Sequence, residues 1–306
     1  MSRVVTVNPF EKEFHELYSL WCIVAQERPF AISQTEDEFI NNYFKNEIKD
    51  HPVCLVAHIN RELVGAGLVE LFRGWDGCLL NLWVLPKHQR KGIGTKILEV
   101  VMNELKQFKH IKTISMNPVP FLPGYISFFK KARFMTDEKM PSGLVMERKI
   151  KNIQTVRIAD GYSIAHLQND KNKEWLRQMA TLEIGEATGQ YKIEEIMDDY
   201  VNRLKPSSLF SLTLHRDEVV GFSFHTIAQL MNGGMQMRNQ GLVVNPLHRN
   251  KGLGLSLLVD GLKWGELKKI EIAMISTHSK NPARFLYEKA GYRTVDEIPN
   301  LQVSII

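Results

Sequence analysis

The sequence predicts an α/β (α+β) protein built from two tandem copies of one unit. Three pairs of similar segments carry this prediction. The glycine-rich run HQRKGIG at 88–94 recurs as HRNKGLG at 248–254, and the hairpin pattern at 54–72 resembles the one at 210–227. The strand patterns LLNLWVLP and QGLVVNP each stop at a proline shortly before a glycine run. A duplication explains these pairs better than a single large sheet.

Helical patterns surround the paired segments in the same order in both halves. KEFHELYSLWCIVAQE and TEDEFINNYFKNE precede the first hairpin, the latter with a Thr-x-x-Glu start, and KEWLRQMATLEIGE and IEEIMDDYVNRL precede the second. The helix predicted after the first glycine run has one apolar face, formed by Ile97, Val101, Leu105 and Phe108. The helix predicted after the second places Leu258 and Leu262 on one face. Each half is therefore expected to hold a complete α/β core.

The boundary between the copies is predicted in the charged and polar stretch 149–153, which follows the strand pattern GLVMERKI. This division gives an N-terminal domain of residues 1–150 and a C-terminal domain of residues 151–306. Domains near ~100–150 residues are the commonest size, so both halves are long enough to bury a core.

Bulk composition is that of a globular protein, with 44% hydrophobic and 24% charged residues. No apolar run reaches the ~20 residues that span a bilayer, and charged residues come too early for the apolar part of a signal peptide. Cys22, Cys54 and Cys78 show no metal-ligand spacing, which indicates reduced thiols, no metal and a cytoplasmic location. The net charge of +5 comes without a long basic run, so we expect neither a nucleic-acid nor a membrane partner.

The glycine runs carry the functional prediction. A strand that enters Gly-x-Gly and then a helix presents unpaired N–H groups at a helix N-terminus, which bind phosphate. Glycine permits positive φ angles and a close approach of pyrophosphate to the backbone. A single run would equally fit a plain helix-capping turn, whereas two copies in matching contexts favour a phosphate site. The spacings of the Walker loop and of the Rossmann fingerprint are missing.

Both runs resemble the Gln/Arg-x-x-Gly-x-Gly/Ala motif of the GCN5-related N-acetyltransferases (GNAT). The matching residues are Gln89, Arg90, Lys91, Gly92, Ile93 and Gly94, and Arg249, Asn250, Lys251, Gly252, Leu253 and Gly254. The resemblance covers nearly the whole chain and implies two domains, each a mixed, mostly antiparallel sheet flanked by helices. It further implies that the loops bind the pyrophosphate of acetyl-coenzyme A (acetyl-CoA). The strand before each loop would pair with the pantetheine arm through its backbone, at Trp83, Val84 and Leu85 and at Leu242, Val243 and Val244. The side chains of Trp83 and Val243 equally fit plain core packing.

The segment NPARFLYEKAGYR at 281–293 predicts a well-capped helix. Asn281 suits an N-cap, Pro282 the first helical position, and Gly291 the left-handed residue after the last turn. The resemblance implies that Tyr287 protonates the departing thiolate and that Asn281 belongs to the cofactor site. The alternative is that Tyr287 is an ordinary aromatic residue of an amphipathic helix.

The first half departs from this pattern. Aligning FFKKARF with LYEKAGY puts Phe129 at the tyrosine position, Arg133 at the glycine and Pro123 at the asparagine. Phe129 has no proton to donate, and Tyr125, one turn earlier, either substitutes for it or only packs. The first half is therefore predicted to bind cofactor without being a competent catalyst.

The sequence names no clear general base. His225, Glu183, Glu186 and Glu70 are candidates, each also explained as a structural residue, and a water chain is a further alternative. The predicted function is an acyl-coenzyme A-dependent N-acyltransferase that moves acetyl from acetyl-CoA to a primary amine by direct attack in a ternary complex. The alternative is a non-catalytic acyl-coenzyme A sensor or structural module. The acceptor is expected to be a small-molecule or peptide amine, and the protein a monomer with pseudo-dimeric halves or a homodimer.

Overall fold

The computed structural model describes residues 5–28, 30–44, 53–71, 76–116, 124–136, 140–168, 172–186 and 192–305. In these ranges the chain forms two seven-stranded sheets. It divides into two compact units. The first unit holds Met1–Ser142, Leu230–Asn232 and Ile298–Ile306, and the second holds Gly143–Gln229 and Gly233–Glu297. The predicted fold class is confirmed.

The first unit follows the predicted element order. It begins with β1 (Thr6–Pro9), α1 (Phe14–Gln26), α2 (Glu36–Phe44), β2 (Val53–Ile59), β3 (Glu62–Leu71) and β4 (Gly77–Val84). After the glycine run come α3 (Ile93–Leu105), β5 (Thr113–Met116), α4 (Tyr125–Lys131) and β6 (Met135–Thr136). At the start of α2 the Thr35 amide donates to the Glu38 carboxylate at 2.9 Å, and the Glu38 amide donates to the Thr35 hydroxyl at 3.2 Å. This pair of hydrogen bonds is the capping box that the sequence predicts.

The second unit repeats the order from β8 onwards. Its elements are β7 (Gly143–Lys149), β8 (Tyr162–Leu167), α5 (Lys173–Glu186), α6 (Ile193–Arg203), β9 (Ser208–His215), β10 (Glu218–Gln229), β11 (Met235–Val244), α7 (Leu253–Leu267), β12 (Ile272–His278), α8 (Ala283–Lys289) and β13 (Arg293–Ile298). The chain ends with β14 (Leu301–Ser304).

Each sheet takes one strand from the other half of the chain. The first sheet has the order β1-β2-β3-β4-β5-β14-β6, and the second has β13-β7-β12-β11-β10-β9-β8. Strand β7 pairs with β12 from Lys149–Ile272 to Gly143–His278, and its Met146 is fully buried in the second unit. Compared with the halves 1–150 and 151–306, the first compact unit loses β7 and gains β14, and the second gains β7 and loses β14. Strand pairing depends on contacts between residues far apart in the sequence, so the linear halves do not reproduce this exchange.

Apolar clusters cover both faces of the second sheet. Helix α7 packs on β9, β10 and β11, and α5 packs on β10 and β11. Leu258 and Leu262, the predicted inner face of α7, have no exposed surface. Successive residues of a strand point to opposite faces, and accordingly Phe224 of β10 joins the cluster of α5 whereas His225 lies against Gly261 of α7.

The three cysteines are free thiols, and Cys54 and Cys78 are buried. Burial raises the pKa of each of these two thiols to about 12, so both are protonated at neutral pH. None of the helices in the described ranges combines the length and apolar character needed to cross a membrane.

Candidate active site

The loop between β11 and α7 folds back onto the strand that leads into it. The Asn245 side chain accepts a hydrogen bond from the Leu247 amide at 3.0 Å, which starts a short 3-10 turn over Pro246–His248. Arg249 then donates from Nε to the Val244 carbonyl at 3.0 Å. This side chain holds the end of the strand beside the start of the helix.

The first unit builds the same loop from different residues. Gln89 donates from Nε2 to the Val84 carbonyl at 3.2 Å, with the same spacing of five residues. Arg90 and Asn250 occupy the left-handed region with φ of 59° and 62°, and Gly92 and Gly252 do so with φ of 80° and 76°. The two loops therefore share one backbone conformation, as the duplication predicts.

Each loop opens onto an uncapped helix. No side chain caps the N-terminus of α7 or α3, which run for 15 and 13 residues. A helix end of this kind carries about half a positive charge and several free N–H donors. A Cβ added at Gly252 or at Gly92 would have no neighbouring atom within 4 Å, so the space above both helix ends is open. This geometry fits a pyrophosphate.

The second glycine of each run serves packing. A Cβ at Gly254 would lie 2.9 Å from Cδ2 of Leu286 in α8, and one at Gly94 would lie 3.4 Å from Cζ of Phe128 in α4. The expectation that glycine clears a path for pyrophosphate therefore applies to Gly252 and Gly92. Gly254 instead lets α7 approach the helix that carries Tyr287.

The strands next to the second loop separate. Strand β11 pairs with the parallel β12 only from Met237–Ala273 to Asn239–Ile275, although β11 continues to Val244. At that point Gln240 is an extra residue in the pairing with β10, where Phe224 faces Gly241 and His225 faces Asn239. Such a bulge bends a strand and is common beside active sites. The backbone of Leu242 to Val244 is thereby left without β12 on that side, and its role in binding the pantetheine arm stays a prediction.

The first sheet lacks this bulge in its described residues. Strand β3 pairs with β4 without a shift from Gly65–Val84 to Leu71–Cys78. Trp83, predicted to contribute its backbone, has a completely buried side chain, and Leu85 is buried as well. The two loops are alike, but the strands that lead into them are not.

The remaining loop residues divide by exposure. Leu253 and Ile93 are buried, so only their backbones can face a ligand, whereas the predicted donors Arg90, Lys91 and Lys251 are exposed. Lys251 donates from Nζ to the Tyr162 hydroxyl at 2.8 Å, and Lys91 donates to the Lys87 carbonyl at 2.5 Å.

Helix α8 has the caps that the sequence predicts. The Asn281 side chain accepts from the Ala283 amide at 2.9 Å. At the other end Gly291 has φ of 87°, and the Tyr292 amide donates to the Tyr287 carbonyl at 3.0 Å. These bonds fix the helix on which Tyr287 stands. The cofactor role of Asn281 stays a prediction.

Tyr287 is 7% exposed and packs in the apolar cluster under α7. Burial raises the pKa of its hydroxyl, so the group is protonated at neutral pH. No other side chain or backbone group of the described residues forms a hydrogen bond with this hydroxyl. It is thus a protonated donor available to a ligand.

Phe129 occupies the equivalent place in the first unit. It has no exposed surface, and its ring lies 4.9 Å from Tyr125 and 4.8 Å from Phe134. Arg133, aligned with Gly291, has the same left-handed conformation with φ of 67°. Pro123 lies outside the described residues. The first unit has the helix of the second without its acidic hydroxyl.

The candidate bases are already engaged. His225 is fully buried, accepts from Asn239 Nδ2 at 3.3 Å, and has its pKa lowered by burial to about 4. Glu183 accepts a hydrogen bond from the Tyr200 hydroxyl, and Glu70 accepts one from Asn81 at 2.5 Å. Glu186 ends α5, and its side chain lies outside the described residues. These contacts give His225, Glu183 and Glu70 structural roles.

Comparison with known proteins agrees with this geometry. The sequence matches the family model for the acetyltransferase (GNAT) family over residues 14–132 and 170–292. The chain therefore belongs to the GNAT family, whose members in general transfer acyl groups from acyl-coenzyme A to amines. No curated protein matches it in sequence.

Solved structures share the tandem fold. A tandem GNAT protein from the clavulanic acid biosynthesis pathway aligns with a TM-score of 0.77 at 15% identity and covers 99% of both chains. An N-acetyltransferase related to GCN5 from Sphaerobacter thermophilus aligns at 0.67 and 14% identity, covering 98% of this chain and 96% of that one. A GNAT acetyltransferase from Colwellia psychrerythraea aligns at 0.65 and 13% identity, covering 98% and 99%. These similarities establish the fold.

Proposed function

We propose that the second unit is an N-acetyltransferase that moves the acetyl group of acetyl-CoA to a primary amine in a ternary complex. The observation that carries the proposal is the combination, in one unit, of an uncapped helix N-terminus, a bulged strand that separates from its parallel neighbour, and a protonated tyrosine without a partner. Family membership supports acyl transfer in general, and these features support its location.

When bound, acetyl-CoA supplies a thioester whose carbonyl carbon accepts an amine nitrogen. The N–H groups at the start of α7 would bind its pyrophosphate, and Lys251 would add positive charge beside them. Backbone N–H groups of Leu242 to Val244, on the side that β12 leaves, would bind the pantetheine arm and polarise the carbonyl. Tyr287 would donate its hydroxyl proton to the sulfur as the carbon–sulfur bond breaks, and the proton that the attacking nitrogen loses would pass through water and restore the hydroxyl.

For the first unit we propose binding without chemistry. Its loop has the backbone conformation of the second, but the position of Tyr287 is taken by the fully buried Phe129. The half 1–150 would thus bind the cofactor and the half 151–306 would catalyse the reaction. Strands β7 and β14 are the exception, because each belongs to the sheet of the other half.

A matched pair of variants tests this assignment. Gly252→Val and Gly92→Val each place a branched side chain in the open space at a helix end, at nearly equal positive φ. Strain at such a position costs about 1–2 kcal/mol in both variants. Thiol release from acetyl-CoA is measured with a panel of primary amines. Gly252→Val should raise the KM for acetyl-CoA at least tenfold, whereas Gly92→Val should leave turnover intact. Loss of turnover in Gly92→Val alone would contradict the assignment, and wild type that binds acetyl-CoA without releasing thiol would support the binding-module alternative.

A further inference from the structure

Polar and aromatic groups from four segments of the first unit are close to one another. Arg28 follows α1, Tyr43 lies in α2, Trp83 in β4 and Tyr125 at the start of α4. The Tyr43 and Trp83 rings are 5.5 Å apart, and the charge of Arg28 acts on the hydroxyls of both Tyr43 and Tyr125. These four residues from four separate segments therefore surround one region.

Arg28 has no counter-charge there. Its Nε atom is closed to solvent and has no hydrogen-bond partner, and no acidic side chain of the described residues forms an ion pair with it. Burial lowers the pKa of the guanidinium, but arginine keeps its charge in proteins. A donor that is closed to solvent and unpaired is unfavourable, so the retention of this one requires an explanation.

Trp83 presents a second unsatisfied donor. It has no exposed surface, and its Nε1 atom has no partner. Its ring lies 5.9 Å from Phe39 as well as 5.5 Å from Tyr43. Two donors that are closed to solvent, Arg28 Nε and Trp83 Nε1, thus occur beside the aromatic rings of the first unit, and neither has an acceptor among the described residues.

Glu70, whose charge acts on Tyr43, does not supply that acceptor. Glu70 accepts from Asn81 Nδ2 at 2.5 Å and raises the pKa of Tyr43, which burial and this charge together bring to about 12. It forms no ion pair with Arg28. Because the negative charge of Glu70 also acts on Tyr43, a doubly charged anion such as phosphate is disfavoured. A singly charged, planar carboxylate matches the fork of a guanidinium.

We infer that the first unit binds a small carboxylate, whose oxygens pair with the Arg28 guanidinium between the rings of Tyr43, Trp83 and Tyr125. This site is independent of the chemistry proposed at Tyr287. It gives the unit that lacks the acidic tyrosine a ligand of its own, a carboxylic acid with an apolar or aromatic body.

Binding is tested on the full chain with sodium acetate and sodium benzoate, at ionic strength held constant with sodium chloride. Melting temperature and tryptophan fluorescence are followed, with benzamide as the neutral match of benzoate and inorganic phosphate as the second anion. Wild type should show a saturable rise in melting temperature with at least one carboxylate and none with benzamide or phosphate. The absence of a response to both carboxylates, or an equal response to benzamide, would overturn the inference.

Three variants locate the site. Arg28→Met should abolish the carboxylate response and leave the ligand-free protein as stable as wild type or more so, because a donor that is closed to solvent and unpaired is removed. Arg28→Lys keeps the charge without the fork and should weaken binding by about tenfold. Arg61→Met removes an equal charge from the exposed turn after β2 and should change nothing. A response that survives in both Arg28 variants would place the carboxylate elsewhere.

Discussion

The guanidinium of Arg148 donates a hydrogen bond to the main-chain carbonyl of Ala290. Arg148 stands in the exchanged strand β7, and Ala290 follows the last turn of α8, which carries Tyr287. A Cβ at Gly291 would come within 3.1 Å of Arg148 Nη1, so the glycine also makes room for the guanidinium. A residue from the earlier part of the chain thus secures the end of the proposed catalytic helix.

Removing this contact should cost stability. Arg148→Met leaves the carbonyl of Ala290 without its charged donor, and hydrogen bonds to charged groups contribute roughly 1.5–3 kcal/mol. Urea unfolding should show a loss of that size. Arg293→Met, at an exposed position of β13, removes the same charge and should be nearly neutral. Equal stability losses in the two variants would show that the Arg148 contact contributes little.

The exchanged strand predicts which fragment folds alone. A fragment of residues 143–297 keeps β7 between β12 and β13, whereas 151–306 lacks it and loses Leu144, Met146 and Ile150 from the core. The first fragment should unfold cooperatively in urea. The second should lack a cooperative transition, since two strands lose their partner. Cooperative unfolding of 151–306 at the same midpoint would contradict the importance of the exchange.

Local features of the fold were predictable because they depend on neighbours in sequence. Thr35 with Glu38 specifies a capping box, and the left-handed Gly252 and Gly291 stand where strand-to-helix and helix-end geometry require them. The alignment of the two halves places Arg133 opposite Gly291, and Arg133 adopts the same left-handed conformation although it carries a side chain. Patterns of three to seven residues carry that information.

Long-range features were not predictable in the same way. The pattern GLVMERKI specifies a strand but not its partners, so nothing in it assigns β7 to the second sheet. The packing of Gly254 on Leu286 and the shielding of Arg28 likewise arise from segments far apart in sequence. The sequence makes His225 a candidate base, whereas the fold places it against Gly261 of α7. A single histidine on an apolar strand gives no signal that separates these roles.

A half-buried carboxylate gives the second unit a pH-dependent stability. Asp260 accepts from His166 Nε2 at 2.8 Å and from the Ser211 hydroxyl at 2.6 Å. Burial alone would raise the pKa of Asp260, but these hydrogen bonds lower it below 3.8, and the bond to Asp260 raises the pKa of His166 above 6.5. The His166 contribution is fully present below pH 6.5 and is lost as pH rises through its raised pKa. The Asp260 contribution is present above pH 3.8 and is lost as pH falls through its lowered pKa.

His166→Gln should therefore lower the free energy of unfolding most between about pH 4 and 6.5, and least above the raised pKa of the histidine. Urea unfolding of the variant and wild type across this range measures the difference. His278→Gln, at the exposed end of β12, is the matched control and should show no such profile. A difference that is constant from pH 4 to 9 would mean that the ion pair does not contribute.

In the proposed reaction, Tyr287 donates the proton that the departing thiolate takes. Tyr287→Phe keeps the ring in its cluster, so acetyl-CoA should bind as in wild type. Turnover should fall on the order of 10²-fold, within the range of a positioned general acid. The loss should lie in kcat and not in KM, because the contact strengthens only as charge develops on sulfur. Tyr292→Phe is the matched control, since its hydroxyl is buried in the same unit without a partner.

The most direct measurement is the steady-state rate of thiol release by wild type, Tyr287→Phe and Tyr292→Phe at saturating acetyl-CoA, with one primary amine that wild type accepts. We expect kcat to fall about 10²-fold in Tyr287→Phe, with KM for acetyl-CoA unchanged, and to stay at the wild-type value in Tyr292→Phe. Wild-type kcat in Tyr287→Phe would contradict the account.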